Sequence, residues 1–295
     1  MGEISTQQAP GMLGSYEVLA CVPEAFNQPG MDGMAQSARA AQWFEYHLMF
    51  GVSHFLLYTN EDMDDQFLQV FRRYLEDGVA TRVHITHRVS PPYDPNVYYS
   101  TQAWFANDCL YRAKHHARLV SPTIDMDEYL RLGERQLHNG LQSPHFMAEF
   151  WGHVAGNMSK TLDEIYSFQL SRYRFELPPP GQLDIVSTRR AAGSQPNYPK
   201  YFLNPNAVDS LWCHWPTSWA NGTVSAGILP EDVAFLNHYR APITGQEEDE
   251  KKHGYTQDET LLREVPALKK ALEARFSKPW QEVMVDLTPP SQIQK

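Results

Sequence analysis

The chain has 295 residues, 42% apolar and 20% charged, with a formal net charge of −10. That supports a sizeable core in one large α/β unit and argues against a nucleic-acid backbone as the main partner, since such proteins carry basic surfaces. Cys21, Cys109 and Cys213 match no zinc spacing. They allow at most one disulfide, or serve as small buried apolar residues. No run reaches the ~18 apolar residues of a membrane span, and residues 1–15 lack the basic and apolar regions of a signal peptide. The expectation is a chain without a membrane span, opening on a disordered segment over 1–15.

In chain order, "YEVLACV" (Tyr16 to Val22) predicts a buried strand, followed by a Gly- and Pro-containing loop. "QSARAAQWFEYHLMFG" predicts a helix capped by Gly51. In that helix Trp43 and His47 share a face and read as core. "HFLLYTN" predicts a second strand ending at Asn60. Phe67, Val70, Phe71, Tyr74 and Leu75 fall on one helical face, closed by Gly78. "VATRVHI" alternates as a third strand. Ala103, Ala106, Leu110, Ala113 and Ala117 recur at helical spacing, which predicts a helix from about Tyr98 to His116. "ARLVSPTI" then leads into "DMDEYL", placing Asp125, Asp127 and Glu128 within four positions.

The order β-α-β-α-β-α-β predicts a mostly parallel sheet flanked by helices. Such sheets bind ligands beyond the C-terminal strand ends, and the acidic cluster falls at one. Two carboxylates spaced Asp-x-Asp can approach one hard cation; alone, the same pattern is a common solvated turn. An EF-hand is excluded, because its fifth and sixth positions hold Tyr129 and Leu130. A haloacid-dehalogenase-type phosphatase matches poorly, because Glu128 and Tyr129 follow the pair. In the second half, "KYFLNP" and "DSLWCHW" predict two strands with a turn at Asn204 to Asn206. "GQEEDEKKHG" reads as exposed or disordered, and "DETLLREVPALKKALEARF" as a C-terminal helix interrupted at Pro266. Sequons occur at Asn157 and Asn221.

The blocks "QWFEYHLMFGVSHFLLYTN", "WFANDCLYRAKHHARLV…IDMDEYL", "KYFLNPNAVDSLWCHWP" and "LNHYR" together resemble glycosyltransferase family 92. The similarity runs from about Tyr16 to Arg240 and is weakest after Gly140. It implies a GT-A fold, a Rossmann-like catalytic domain over 16–241, with a charged loop and helical extension over 242–295. It implies a hexosyltransferase, inverting, that moves galactose from a UDP-sugar to a glycan acceptor with Mn2+ or another divalent cation. Golgi or the secretory lumen follows if a longer anchored form exists, and the cytoplasm otherwise. The alternatives are an inactive glycan-binding domain of the same fold and a metal-dependent phosphohydrolase.

Carried onto this chain, the resemblance makes Asp127 a direct metal ligand, Asp125 a ligand or ribose contact, and Glu128 the group that orients both. His214 in "LWCHWP" completes the metal site or is a core histidine, with His238 in "NHYR" as the competing choice. Lys200 and Arg240 are diphosphate contacts or ordinary charges. Asn60 meets the nucleotide or merely ends its strand. Asn107 and Asp108 reach the nucleotide or tie their helix to the sheet. Inversion needs a carboxylate base, for which Glu164 and Glu149 are the candidates, with Asp163 behind them. Two departures stand out. Pro122 interrupts an expected central strand, which then starts only at Thr123, and Asn204 replaces an Arg before Pro205.

Overall fold

The structure, a computed structural model, describes residues 15–22, 33–59, 65–84, 95–133, 146–179, 181–191, 199–239 and 254–287. The proposed N-terminal disordered segment, most of the charged loop, Asn60 and Arg240 lie outside these residues.

The first half alternates as the sequence pattern predicts. β1 (Tyr16–Val22), α1 (Gly33–Met49), β2 (His54–Thr59), α2 (Asp65–Glu76), β3 (Ala80–His84), α3 (Pro95–Ala113) and β4 (Ala117–Ser121) follow in order. β3, β2, β1 and β4 lie side by side and parallel. The strands are apolar on both faces because helices cover both: β2 is buried at every position. Gly51 and Gly78 close α1 and α2 at positive φ. α2 buries Val70, Phe71 and Tyr74, as its spacing dictates.

β5 (Glu128–Leu132) leaves this sheet after the acidic loop, and α4 (Phe146–Asn157) follows. β6 (Ile165–Leu170) and β7 (Arg172–Phe175) are nearly continuous but belong to different sheets. After β8 (Arg189–Ala191), β9 (Lys200–Leu203) inserts antiparallel between β4 and β6. β10 (Val208–Leu211) and β11 (Pro216–Trp219) form a hairpin, and β12 (Val224–Ile228) completes the large sheet. β13 (Ala234–Tyr239) and β14 (Tyr255–Gln257) join the smaller one. The large sheet therefore runs β12-β6-β9-β4-β1-β2-β3 and the smaller β14-β8-β7-β13-β5. Gly133 ends β5 pressed against the Asp232 carbonyl, where a Cβ would overlap.

The chain ends in α5 (Val265–Phe276) and α6 (Trp280–Asp286). Leu268, Leu272 and Met284 enter the main core, and Arg275 reaches Glu45 on α1 at 2.8 Å. The C-terminal helices are thus packed onto the main core.

Two expectations need correction, and the choice left open for the cysteines is decided. β4 ends at Ser121, so the strand stops before Pro122 instead of starting after it; Pro122 needs no ladder N–H there. "DSLWCHW" is a strand only to Leu211, and Trp212 to Trp215 form the hairpin tip, closed by Trp212 N–H to Trp215 O at 2.8 Å. Cys21 at the end of β1 and Cys109 on α3 form a disulfide, while Cys213 is a buried thiol.

Candidate active site

The acidic loop leaves β4 at the C-terminal edge of the parallel strands and crosses to the second sheet. Its geometry is set by a turn closed from both ends. Glu128 N–H donates to Asp125 O at 3.0 Å, and Asp125 N–H donates to Glu128 Oε2 at 3.0 Å. Two neighbours pin the backbone further: Trp43 Nε1 donates to Glu128 O at 2.9 Å, and Tyr239 N–H donates to Asp127 O at 2.8 Å. The first confirms Trp43 as core and gives it a task, because its indole holds the loop.

Glu128 is fully buried. A lone carboxylate there would be untenable, and two cations answer it: Arg172 Nη1 at 2.9 Å and Lys200 Nζ at 3.4 Å. Burial alone would push the Glu128 carboxyl up, but Lys200, Arg172 and His238 hold it below the usual range. Lys200 starts β9, whose antiparallel course brings its side chain to the loop. There it donates to Asp125 Oδ2 at 2.9 Å and to the Thr123 carbonyl. Burial opposes its charge, yet Asp125 and Glu128 raise its pKa. Glu128 and Lys200 are therefore internal struts that shape the loop. Both side chains are nearly inaccessible to solvent.

Asp125 and Asp127 differ from Glu128. Burial raises the Asp125 carboxyl against the pull of Lys200, and its Oδ1 is buried yet accepts no hydrogen bond. Asp127 Oδ2 meets His238 Nε2 at 3.2 Å. His238 lies on β13 opposite Glu128 in register, so the strand pairing itself delivers the imidazole. His214 sits at the hairpin tip, buried. Burial first, then the charges of Lys200 and Arg172, lower its pKa to about 4, leaving the ring neutral. Among the described residues no three His, Cys, Asp or Glu side chains gather closely enough to hold a metal ion. Asp125, Asp127 and His214 are thus not one ligand set here. His238 is the histidine that meets an Asp-x-Asp carboxylate.

Of the remaining candidates, Asn107 clamps α3 to the hairpin. Its amide donates to Ala103 O at 2.7 Å and Leu211 O at 2.8 Å and accepts Leu211 N–H at 2.9 Å. Asp108 accepts from Tyr58 Oη at 2.7 Å and Arg112 Nε at 2.6 Å. Both tie the helix down. Glu164 is at the wrong edge. β6 runs parallel to β4, and Ser167 lies level with Val120 through their shared partner Leu203. Glu164 precedes β6, so it sits at the N-terminal edge, opposite Asp125. There it closes a capping box with Thr161 and pairs with Lys160 at 3.2 Å. The Thr161 N–H, then Lys160, hold its carboxyl below the usual range, which further unsuits it as a base. Asp163 shares that position. Glu149 is exposed on α4 between buried Ala148 and Phe150.

The sequence reading missed Arg172, Arg39 and Asp184. Arg39 Nε meets the buried Asp184 at 3.2 Å, its Nη2 donates to Tyr239 O at 2.9 Å, and its charge feels Asp127. Asp184 also accepts from Tyr129 Oη at 3.3 Å, and its N–H donates to Gln42 Oε1 at 2.7 Å. The available signal was "SRYRF", where alternating arginines inside a strand pattern mark a charged inner face.

A mostly parallel sheet carrying an acidic loop at its C-terminal edge is consistent with a GT-A-like glycosyltransferase fold. The chain belongs to glycosyltransferase family 92, whose model matches residues 17–280. The match extends beyond 241, the boundary expected from sequence, into the C-terminal helices. No curated protein matches the chain. The family implies a sugar donor and a glycan acceptor.

Proposed function

We propose that the chain transfers a hexose, galactose, from a UDP-sugar to a glycan acceptor with inversion, using Mn2+ or another divalent cation. The observation that carries this reading is the contrast inside the acidic loop. Glu128 is saturated by cations, whereas Asp125 keeps a buried oxygen without a hydrogen bond and Asp127 faces the imidazole of His238. Hard carboxylate oxygens suit Mn2+, so Asp127 and Asp125 Oδ1 are the protein groups that would hold it, with the donor's phosphate oxygens and water supplying the remaining ligands. Bound there, the cation supplies the charge that stabilises a departing diphosphate. The protein's own part is to hold the two aspartates rigid: Glu128 fixes the turn, Arg172 and Lys200 fix Glu128, and Trp43 and Tyr239 fix the backbone. That preorganisation means little reorganisation is required when the donor enters. Glu164, at the far edge of the sheet, is not retained as the base, and Glu149, exposed on α4, stays the candidate.

The Cys21–Cys109 disulfide supports an oxidising compartment such as the secretory lumen. It predicts a mobility difference between reduced and unreduced protein isolated with its thiols blocked.

The test is to incubate the protein with UDP-sugars, Mn2+ and a panel of neutral glycans, measuring UDP release and hexose addition by mass. Release of UDP from UDP-galactose, abolished by EDTA, is expected, and proton NMR of the product should show an inverted anomeric centre. Full activity in EDTA would remove the metal role. No UDP release from any UDP-sugar would remove the transferase reading and leave an inactive glycan-binding domain of the same fold.

A further inference from the structure

The hairpin tip shows an arrangement that the nucleotide-sugar chemistry leaves unused. In "WCHW", Cys213 and His214 are buried, while Trp212 and Trp215 on either side are 37% and 48% exposed. Adjacent residues of β9 tie the tip to the acidic loop: Tyr201 Oη donates to Trp212 O at 2.7 Å, and Lys200 Nζ donates to Asp125 Oδ2 at 2.9 Å. The two indoles therefore stand at the rim of that site. Large apolar rings exposed beside a site mark a binding surface more often than scattered surface hydrophobes do.

The tip is also rigid. Tyr201 Oη donates to Trp212 O at 2.7 Å, Trp212 N–H to Trp215 O at 2.8 Å, and the Asn107 clamp holds Leu211 just before it. Other exposed aromatics nearby are already engaged. Trp219 stacks on Tyr166 with centroids 4.8 Å apart, and Tyr111 donates to Asp209 O at 3.2 Å. Among the described residues no aromatic ring stacks face to face on Trp212 or Trp215; the nearest is His214, tilted at 6.3 Å from Trp215.

We infer that Trp212 and Trp215 form the acceptor platform, stacking on the apolar face of a neutral pyranose and presenting its hydroxyl to the site. The inference rests on the transferase reading above. Indoles offer a broad apolar face with an N–H donor at its edge, which matches a sugar ring's CH face and hydroxyl rim, and they lose little conformational freedom on binding. Neutrality follows from the hairpin's composition: from Val208 to Trp219 its one charged side chain is Asp209, an anion. The hairpin itself offers an acidic glycan no lysine or arginine.

Two readouts test this on the full chain, each with Trp212→Ala, Trp215→Ala and Trp215→Phe. In the transfer assay, each alanine variant should raise the acceptor KM tenfold or more while moving the donor KM less than twofold, and Trp215→Phe should recover most of the loss. An acceptor KM within twofold of wild type in both alanine variants would overturn the platform. If no UDP-sugar is turned over, the transferase reading fails, and binding to an array of neutral oligosaccharides decides the platform alone. Binding that the alanine variants lose supports it; no binding, or binding they retain, overturns it. Circular dichroism of each variant separates these outcomes from misfolding, and Trp215→Phe supplies the test if an alanine variant does not fold.

Discussion

The two main sheets solve burial in opposite ways. The large sheet is apolar in depth, except for the buried Lys200 that opens β9: Val18, Leu19, Leu119, Val120 and Phe168 are fully buried and meet only packing demands. The smaller sheet buries charge instead. β5 begins with Glu128, β7 carries Arg172 and Arg174, and β13 carries Asn237 and His238, all nearly inaccessible. Charges are retained inside a protein only where partners satisfy them. The lesson is that the large sheet is a scaffold whose rules are shape and volume, while the smaller sheet is half of a site and its rule is electrostatic closure.

The largest expected effect is on chemistry. Asp127→Ala removes the carboxylate that faces His238, and hexose transfer should fall at least ~1,000-fold, since one misplaced ligand group commonly removes several kcal/mol of transition-state stabilisation. Asp127 also holds the buried His238 at 3.2 Å, so the variant's thermal melting point should fall, but by less than that of Glu128→Gln. A comparable fall in stability would move Asp127 into the structural network and blur the contrast between the sheets.

The next effect is on stability, and it separates the two rules. Glu128→Gln keeps the shape but leaves Arg172 and Lys200 buried without their anion, at a cost of ~3–5 kcal/mol. Leu119→Met, a volume-conserving change in the large sheet, should cost less than about 1.5 kcal/mol. Urea unfolding of both variants checks the ranking, and equal costs would erase the distinction.

A smaller effect appears with acid. His47 and His54 are buried, and burial lowers each pKa from 6.5 to about 4. The unfolded chain therefore binds more protons than the native one between these values, and stability falls as pH drops from about 6.5 toward 4. Melting curves across that range should show the slope, and His54→Gln should flatten it. The smallest effect belongs to Glu164. Glu164→Gln should leave transfer within twofold of wild type, whereas a hundredfold loss would restore it as the base.

The contrast also explains what was legible in the sequence. Strands and helices of the large sheet follow from apolar runs and periodicity, so Tyr16 to Ser121 read almost correctly, with Pro122 falling just past the strand it was thought to interrupt. Asp125 and Asp127 could be singled out only because their acidic spacing, alone a common solvated turn, follows a strand. Arg172 and Lys200 were not legible as struts. Their roles depend on β7 and β9 arriving from about 45 and 75 residues away, and a pairing that distant leaves no local trace. The contact of His238 with Asp127 was not legible for the same reason: the register of β13 against β5 sets it. Glu164 was misjudged because a carboxylate's neighbours in sequence do not say which edge of a sheet it occupies.

The central claim is that the acidic loop, held by Glu128 and its cations, takes a divalent cation and with it a nucleotide-sugar. Thermal-shift titration of UDP-galactose with and without Mn2+, on wild type and Asp127→Ala, tests it most directly. A nucleotide-sugar that binds the native state raises the melting point by mass action. The account predicts a rise for wild type only when Mn2+ and UDP-galactose are both present, and none for the variant. An equal rise in the variant, or one that ignores Mn2+, would contradict it.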